Sequence, residues 1–374
     1  MRLARRDFLC GLGSGLLAAV GAYPGEVRAG RHPLFVSGAL NADGKFVVAG
    51  FDMNGAVQFE LPLPGRGHGA VFRRTNSDCV IFARRPGTFA GVLDAGSGSL
   101  RYWIEAAPGR HFYGHGAFSA DGGTFFAAEN DYEAGRGALG VYDATDRYKR
   151  IGEIPGHGVG SHDVRLMPDR TTLAVANGGI RTHPDQGRAK LNLDTMAPSL
   201  AFVDARSGAL VGQACLPVRF HKLSIRHLDI DRGGRVAVAM QYQGDRRDRV
   251  PLVGLCDGKS DIRLLHAPSP NEQRMQHYTG SIAFDVTGEV LAATSPRGHV
   301  VTFWNARTAA YLCQIQATDV SGISRTDTPG TFLIAGGDGA IRLVDVPNDT
   351  NTTLRAPNRQ IRWDNHLCPL VTLA

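Results

Sequence analysis

The sequence lacks the short signatures that mark many enzyme active sites. It contains no G-x-S-x-G, no H-E-x-x-H and no G-x-x-x-x-G-K-[ST]. These absences exclude the α/β-hydrolase nucleophile elbow, the zinc-protease helix and the P-loop. The glycines of Gly156–Gly160 do not lie between a strand and a helix, so a dinucleotide-binding fingerprint is excluded as well. No motif therefore identifies a catalytic residue.

Cysteine is scarce, and no pair of cysteines is spaced as C-x-x-C, which excludes that zinc or redox motif. One of the six, Cys10, precedes an apolar stretch near the N-terminus. The other five fall mostly in apolar, strand-like runs: Cys79, Cys215, Cys256, Cys313 and Cys368. Their odd number leaves at least one free thiol. We expect buried, inert cysteines, with one disulfide as an open alternative.

Positive charge is weak and dispersed. The net charge is +6, of which the first 29 residues contribute +2 (four Arg against Asp7 and Glu26), so +4 remains for the rest. Only five of the 41 basic residues are Lys. This balance argues against nucleic acid as a partner.

The N-terminus has the pattern of an export signal. Arg5-Arg6-Asp7-Phe8-Leu9 matches the twin-arginine pattern, the apolar stretch Gly11–Ala22 follows, and Val27-Arg28-Ala29 is an acceptable cleavage site. Twelve apolar and small residues are too few to span a bilayer, which needs about 20. We therefore predict a twin-arginine signal peptide over 1–29 and a single domain over 30–374. The mature protein is expected in the bacterial periplasm, without a membrane span.

A repeat runs through the remaining chain. The segment Phe112–Gly122 places a histidine between glycines, ahead of a short strand and a polar turn, and similar segments surround three other histidines. His68 and His115 are 47 residues apart, as are His115 and His162, and His227 follows after 65. A period in the forties with several short strands per unit is typical of a β-propeller.

The two ends of the chain complement each other. The first unit offers three strands but no preceding histidine strand, and the C-terminal stretch Trp363–Val371 supplies one that contains His366. We therefore predict an all-β, seven-bladed β-propeller of four-stranded blades, whose ring is closed by the C-terminal strand completing the first blade. Such closure removes open sheet edges.

Five histidines fall at equivalent points of the repeat, and we predict them at the inter-blade connections near the central channel. Neutral imidazole is a common ligand for Zn, Cu, Fe and Ni, so they are candidate metal ligands, with iron or copper as the cofactor. A structural role, in which each histidine ties adjacent blades together, stays open. The five are His68, His115, His162, His227 and His366.

Long polar connections on the same face supply the other candidates. The insertion Asn177–Pro198 exceeds the usual loop length, which indicates a functional loop or a flap over a neighbouring blade. Acidic residues there are candidate metal ligands or general bases, and arginines are candidate clamps for a carboxylate or phosphate. The predicted ligand-binding residues are Arg84, Glu129, Asn130, Asp131, Arg165, Asn177, Arg181, His183 and Arg188.

Four stretches resemble a bacterial family catalogued as domain of unknown function 1513. They are LPLPGRGHG (Leu61–Gly69), Glu129–Asp143, GSHDVRLMP (Gly160–Pro168) and Asn177–Leu200. Members of that family tend to be encoded beside imelysin-like iron-uptake proteins. The resemblance implies a periplasmic part in iron acquisition, with imelysin-like or haem-containing proteins as partners.

These observations predict an accessory protein that binds a metal or metal chelate at its histidine-lined mouth. Two alternatives stay open. The fold is similar to that of propeller lactonases, which implies a hydrolase acting at the same mouth. The second alternative is a docking scaffold whose histidines are structural.

Overall fold

Seven antiparallel sheets follow one another around a common axis, in agreement with the predicted repeat. The computed structural model describes residues 35–258, 261–358 and 360–370. The predicted signal peptide lies outside the described residues. Blades are numbered 1 to 7 in the order in which the chain enters them, and in blades 2 to 7 the first strand is the innermost.

The strands are short and regular. Blade 1 contains β1 (Phe35–Asn41), β2 (Phe46–Phe51) and β3 (Val57–Pro62); blade 2 contains β4 (Gly67–Phe72), β5 (Asp78–Ala83), β6 (Phe89–Asp94) and β7 (Leu100–Glu105). Blade 3 contains β8 (Arg110–Phe118), β9 (Thr124–Asp131), β10 (Arg136–Asp143) and β11 (Lys149–Pro155); blade 4 contains β12 (Ser161–Leu166), β13 (Thr172–Asn177), β14 (Ser199–Asp204) and β15 (Leu210–Cys215). Blade 5 contains β16 (Leu223–Ile230), β17 (Val236–Tyr242), β18 (Val253–Cys256) and β19 (Arg263–Leu265); blade 6 contains β20 (Ser281–Phe284), β21 (Val290–Ser295), β22 (Val300–Asn305) and β23 (Tyr311–Gln316). Blade 7 contains β24 (Val320–Arg325), β25 (Thr331–Gly336), β26 (Ile341–Asp345) and β27 (Thr350–Arg355), after which β28 (Ile361–Trp363) and β29 (Cys368–Pro369) return to blade 1.

The ring closes as predicted. Both β28 and β29 pair antiparallel with β1, where Trp363 lies opposite Ala39 and Cys368 opposite Val36. The end of the chain therefore supplies the innermost strand of the blade that the start of the chain builds. Closure in this way gives blade 1 an innermost strand equivalent to those of its neighbours, and no inner sheet edge remains unpaired there.

The hydrophobic core lies between blades. Each buried cluster combines residues of adjacent sheets, for example Val48 and Phe59 of blade 1 with Ile81 and Leu93 of blade 2. Because the middle strands are covered on both faces, they read as continuous apolar runs instead of alternating ones, as in Asp78–Ala83. The outermost strands are more exposed, as in Leu210–Cys215 and Thr350–Arg355.

A recurring irregularity shapes the innermost strands. In blade 1 the four residues between β28 and β29 face only two residues of β1. The register with the second strand shifts at the same level in five other blades, between Gly67 and Ala70, Phe112 and Gly116, Ser161 and Asp163, Ile225 and His227, and Val320 and Gly322. Such bulges insert extra residues and re-aim side chains. The histidines were predicted at inter-blade connections, but they lie at these bulges within the innermost strands.

Helix is rare in the described part of the chain. The insertion after β13 contains two short 3₁₀ helices, Pro184–Gln186 and Leu193–Thr195. The only α-helix assigned in the described residues is Ser269–Arg274, which lies outside this insertion. No helix within the described ranges is both long and apolar enough to cross a membrane.

Cys79, Cys215, Cys313 and Cys368 are free thiols, so the disulfide left open by the sequence does not form among the described cysteines. Cys79 and Cys368 share the core between blades 1 and 2. A hydrogen bond with the Cys368 thiol, followed by burial, raises the pKa of Cys79 well above its usual value. Cys79 is therefore protonated and behaves as a small apolar side chain.

Trp363 should be a main determinant of stability because it joins the first and last blades. Its side chain is 3% exposed, its ring centroid lies 4.8 Å from that of Phe51, and its Nε1 donates to Gly339 O over 3.2 Å. We expect Trp363→Ala to lower the free energy of unfolding by about 3–5 kcal/mol. Denaturant titration measures this, and Tyr102→Ala, at a partly exposed tyrosine, is the control. An equal loss of unfolding free energy in both variants would contradict the closure argument.

Candidate functional site

The structure brings all five predicted histidines together at the axis. Ring centroids lie 4.6 Å apart for His227 and His366, 4.7 Å for His115 and His366, and 5.0 Å for His68 and His115. His162 completes the group, with its centroid 5.0 Å from that of His227. Side chains that are distant in sequence thus form one cluster, called the histidine cluster below, because five blades aim equivalent bulges at one point.

Burial keeps the imidazoles of the histidine cluster neutral. Loss of solvation lowers the pKa of each ring from its ordinary value, and nearby positive charge lowers it further. For His162 the main neighbouring charge is Arg226, whereas His115 is affected by the other histidines. A neutral imidazole has one nitrogen lone pair available, which is the form that binds a metal ion.

Two buried aspartates face the cluster from the same inner strands. Asp163 Oδ1 lies 3.4 Å from His115 Nδ1, and Asp364 Oδ1 lies 3.8 Å from His68 Nδ1. Burial alone would raise the pKa of Asp364, but His68 and an ion pair with Arg66 lower it to about 2. Both aspartates are therefore placed to orient an imidazole.

Asp163 also links blades. Its Oδ2 accepts from the Leu228 N–H over 2.9 Å, and its Oδ1 accepts from the Val164 N–H over 2.8 Å. Burial raises its pKa, although the charge of Arg165, at 3.6 Å, acts in the opposite direction. One carboxyl group thus ties blade 4 to blade 5 and faces the histidine of blade 3.

Four ring nitrogens of the cluster are buried without a hydrogen-bond partner among the described residues. They are His68 Nδ1, His115 Nε2, His227 Nδ1 and His366 Nε2. An unsatisfied buried polar atom costs about 1–3 kcal/mol. His68 Nδ1 faces the carboxylate of Asp364 and is therefore the N–H of its ring. The other three nitrogens are left for a ligand that accepts several lone pairs.

The second nitrogens of two rings show which atoms are free to bind. His366 Nδ1 meets Ser281 Oγ at 3.3 Å, and His115 Nδ1 faces Asp163, which leaves Nε2 of both rings available. His162 differs because Arg226 Nη1 lies 3.3 Å from its Nδ1. Arginine only donates, so Nδ1 of His162 accepts and its Nε2 carries the proton.

Two overlapping triads of histidines have ring nitrogens close enough together to be considered as metal sites. Nitrogens of His68, His115 and His162 lie within 4.8 Å of one another, and so do nitrogens of His115, His227 and His366. Zinc–nitrogen bonds of about 2.0–2.1 Å imply nitrogens about 3.4 Å apart in a tetrahedral site. The second triad is better suited to bind a metal because it excludes His162, whose Nδ1 is held by Arg226 and whose Nε2 carries the proton.

The two ends of the channel differ. A cavity of about 690 Å³ reaches His115 and His366 from the end that carries the turns between first and second strands, and Arg165 and Asp229 line it. Arg165, predicted to act with Arg84, therefore lies at the opposite end of the channel. Arg84 and Arg188 lie on connections between second and third strands, and burial lowers the pKa of Arg84.

Three predicted ligand-binding residues of blade 3 already have partners within that blade or the adjacent insertion. Glu129 is fully buried and accepts from Tyr142 Oη over 2.6 Å and from Arg150 over 3.0 Å. Asp131 pairs with Arg110 at 2.9 Å and with Arg136 at 2.8 Å. Asn130 Nδ2 lies 3.0 Å from His111 Nε2. The structure does not bring these three into the histidine cluster.

The remaining predicted residues hold the insertion in place. Asn177 accepts from Ser161 Oγ over 2.7 Å and donates to Gly156 O over 2.8 Å. His183 caps the helix Pro184–Gln186 by accepting from the Asp185 N–H, and its Nε2 lies 3.4 Å from Glu133 Oε1. Arg181 is exposed, and its backbone N–H donates to Asn192 Oδ1 over 2.7 Å.

Several residues at the site were not predicted. Asp163, Arg226 and Asp364 all contact ring nitrogens, and Ser281 meets His366. A sequence signal existed for the first three, because each lies within two residues of a repeated histidine. Ser281 occupies the equivalent level of blade 6, where the histidine is absent.

Acid should destabilise the metal-free protein through the histidine cluster. Because the folded-state pKa values are lowered, the unfolded chain binds more protons below pH 6.5, and stability falls as pH drops from there. The expected loss is up to about 1.4 kcal/mol per pH unit per histidine. Urea titrations between pH 7 and pH 5 should show that the free energy of unfolding falls less steeply with decreasing pH in His366→Gln than in the wild type. His221→Gln, which lies outside the histidine cluster, is the control; an identical pH dependence of stability for all three proteins would refute the assignment.

Comparison with known proteins identifies the family and the fold. Solved structures similar to the chain include hydrazine synthase of Kuenenia stuttgartiensis, with a TM-score of 0.60 and 15% identity over 88% of this chain and 97% of that chain. At this identity the likeness concerns the fold alone. No curated protein shows significant similarity. The profile of the family described as "Protein of unknown function (DUF1513)" matches residues 61–370. Since this match covers most of the sequence, the chain belongs to that family.

Proposed function

We propose that the histidine cluster binds one transition-metal ion, iron or copper, and that the protein is an exported periplasmic accessory factor in iron acquisition. The observation that carries the proposal is that His115 Nε2, His227 Nδ1 and His366 Nε2 are buried without hydrogen-bond partners among the described residues. A metal ion accepts several such lone pairs at once and offsets the cost of burying them.

His115, His227 and His366 are the preferred ligands. All three are buried, and their nitrogens lie within 4.8 Å of one another. Asp163 faces the far nitrogen of His115, which is the arrangement by which a carboxylate fixes the tautomer of a metal-bound imidazole. His68 faces Asp364 in a similar way and is the fourth candidate.

The donor type limits the metal. The cluster offers imidazole nitrogens, which suit Cu, Fe, Zn and Ni better than Ca or Mg. The resemblance to a family encoded beside imelysin-like iron-uptake proteins favours iron or copper within that set. Imelysin-like or haem-containing proteins are the corresponding partners.

The alternatives have weaker support. A lactonase-like hydrolase needs a free carboxylate or base at the mouth, whereas Glu129 is held by Tyr142 and Arg150 inside blade 3. A scaffold with structural histidines needs every buried ring nitrogen to be paired, whereas His115 Nε2, His227 Nδ1 and His366 Nε2 have no partner among the described residues.

Loss of a ligand should remove the metal without unfolding the protein. The full chain, expressed in bacteria and purified without chelators, is expected to carry one iron or copper ion, and His115→Gln or His366→Gln should reduce occupancy at least about tenfold. Elemental analysis measures this, with circular dichroism as the folding check and His221→Gln as the matched control. A wild-type protein without bound metal, even after reconstitution with each ion, would refute the proposal.

Asp163 should act through His115. Replacement by Asn keeps one hydrogen-bond acceptor but removes the negative charge that faces His115 Nδ1. We expect Asp163→Asn to weaken metal affinity by about 10- to 100-fold. Competition against a chelator of known affinity measures the change, and thermal melts of the metal-free variant separate it from instability. Unchanged affinity would show that the carboxylate does not support the ligand.

A further inference from the structure

Basic side chains from several blades crowd the end of the channel opposite the 690 Å³ cavity. They lie on connections between second and third strands or on the innermost strand of blade 5, and the propeller topology places these segments at one end. This group, called the cationic mouth below, consists of Arg84, Arg85, Arg188, Lys190, Arg226 and Arg297.

Members of the cationic mouth lie close enough to affect one another. Burial lowers the pKa of Lys190, and the charges of Arg226, Arg297 and Arg85 lower it further. The residues come from blades 2, 4, 5 and 6, and the connections and the strand that carry them place them at the same end of the channel.

No carboxylate pairs with these six side chains within the described residues. Asp364, a buried carboxylate beside the histidine cluster, is already paired with Arg66 and His68. Arg226 Nε is buried without a hydrogen-bond partner, and the Arg297 guanidinium lies over the Tyr278 ring at 4.3 Å. A converging set of unpaired cations with an unsatisfied donor indicates an anion-binding site.

The opposite end of the channel has a different charge balance. There Arg165 lies 3.6 Å from Asp163, and Arg325 lies 3.8 Å from Asp229. Aspartates therefore accompany basic residues at that end, whereas no carboxylate among the described residues pairs with the cationic mouth.

Arg226 connects the cationic mouth to the histidine cluster. Its Nη1 lies 3.3 Å from His162 Nδ1, and the next residue in the chain is His227. An anion bound to the free edge of Arg226 therefore lies beside the proposed metal ligands. The proton on His162 Nε2 adds a further donor for such an anion.

We propose that the cationic mouth binds a small polycarboxylate chelator, so that the metal reaches the histidine cluster as an anionic chelate. The inference extends the proposed metal site, but the anion contacts concern a separate set of residues. Arginine binds carboxylates in a bidentate manner, and several arginines around one opening match a ligand with several carboxylates. The chelator would hold the metal from the mouth while imidazoles replace its remaining ligands.

Citrate binding to the metal-free full chain tests the inference without any metal. Isothermal titration at low ionic strength should show one citrate bound per chain, and Arg85→Gln/Lys190→Gln should weaken affinity at least about tenfold. The matched control removes two exposed basic residues elsewhere, Arg206→Gln/Arg232→Gln, and should leave citrate affinity unchanged. Arg226→Gln, checked for folding by its thermal melt, should weaken binding in the same way.

Each other outcome counts against the inference. Absence of citrate binding, or equal loss in the control variant, would overturn it. Equal affinity for acetate or inorganic phosphate would overturn the assignment to a polycarboxylate, because a single anionic group would then suffice. Uptake of the free metal ion is measured separately, so failure of the metal site and failure of the anion site remain distinguishable.

Discussion

Burial of several imidazoles at one point on the propeller axis is the constraint on which the remaining features depend. A buried ring must stay neutral, because protonation would place like charges a few ångströms apart in a poorly solvated space. Neutral rings leave lone pairs, and nitrogens of His115, His227 and His366 at the axis have no hydrogen-bond partner among the described residues. The arrangement is costly for a purely structural core and suited to an ion.

The bulges of the innermost strands make this arrangement possible. A regular strand directs alternate side chains to opposite faces, toward the neighbouring blades. An extra residue turns one side chain out of that pattern and into the channel, as at His162 between Ser161 and Asp163. Because the deviation recurs at one level of the ring, histidines from separate repeats meet.

Charge along the channel is ordered rather than mixed. Asp163 and Asp364 stand beside the rings as orienting groups, and aspartates accompany basic residues at the cavity end. Basic residues without a carboxylate partner among the described residues surround the other end. A cationic entrance over a neutral, nitrogen-rich centre suits a negatively charged metal complex better than a free cation, which the entrance would repel.

The sequence by itself determined the repeat, the closing role of the C-terminal strand and the identity of the five histidines, because strand patterns and spacing are local properties of the chain. Only the tertiary structure decided which polar residues join them. Glu129 and Arg150 pair within blade 3, and Arg165 lies at the far end of the channel, whereas Arg226 reaches His162. Which side chains meet across blades depends on bulges and on the packing of adjacent sheets, and these contacts join residues far apart in the chain.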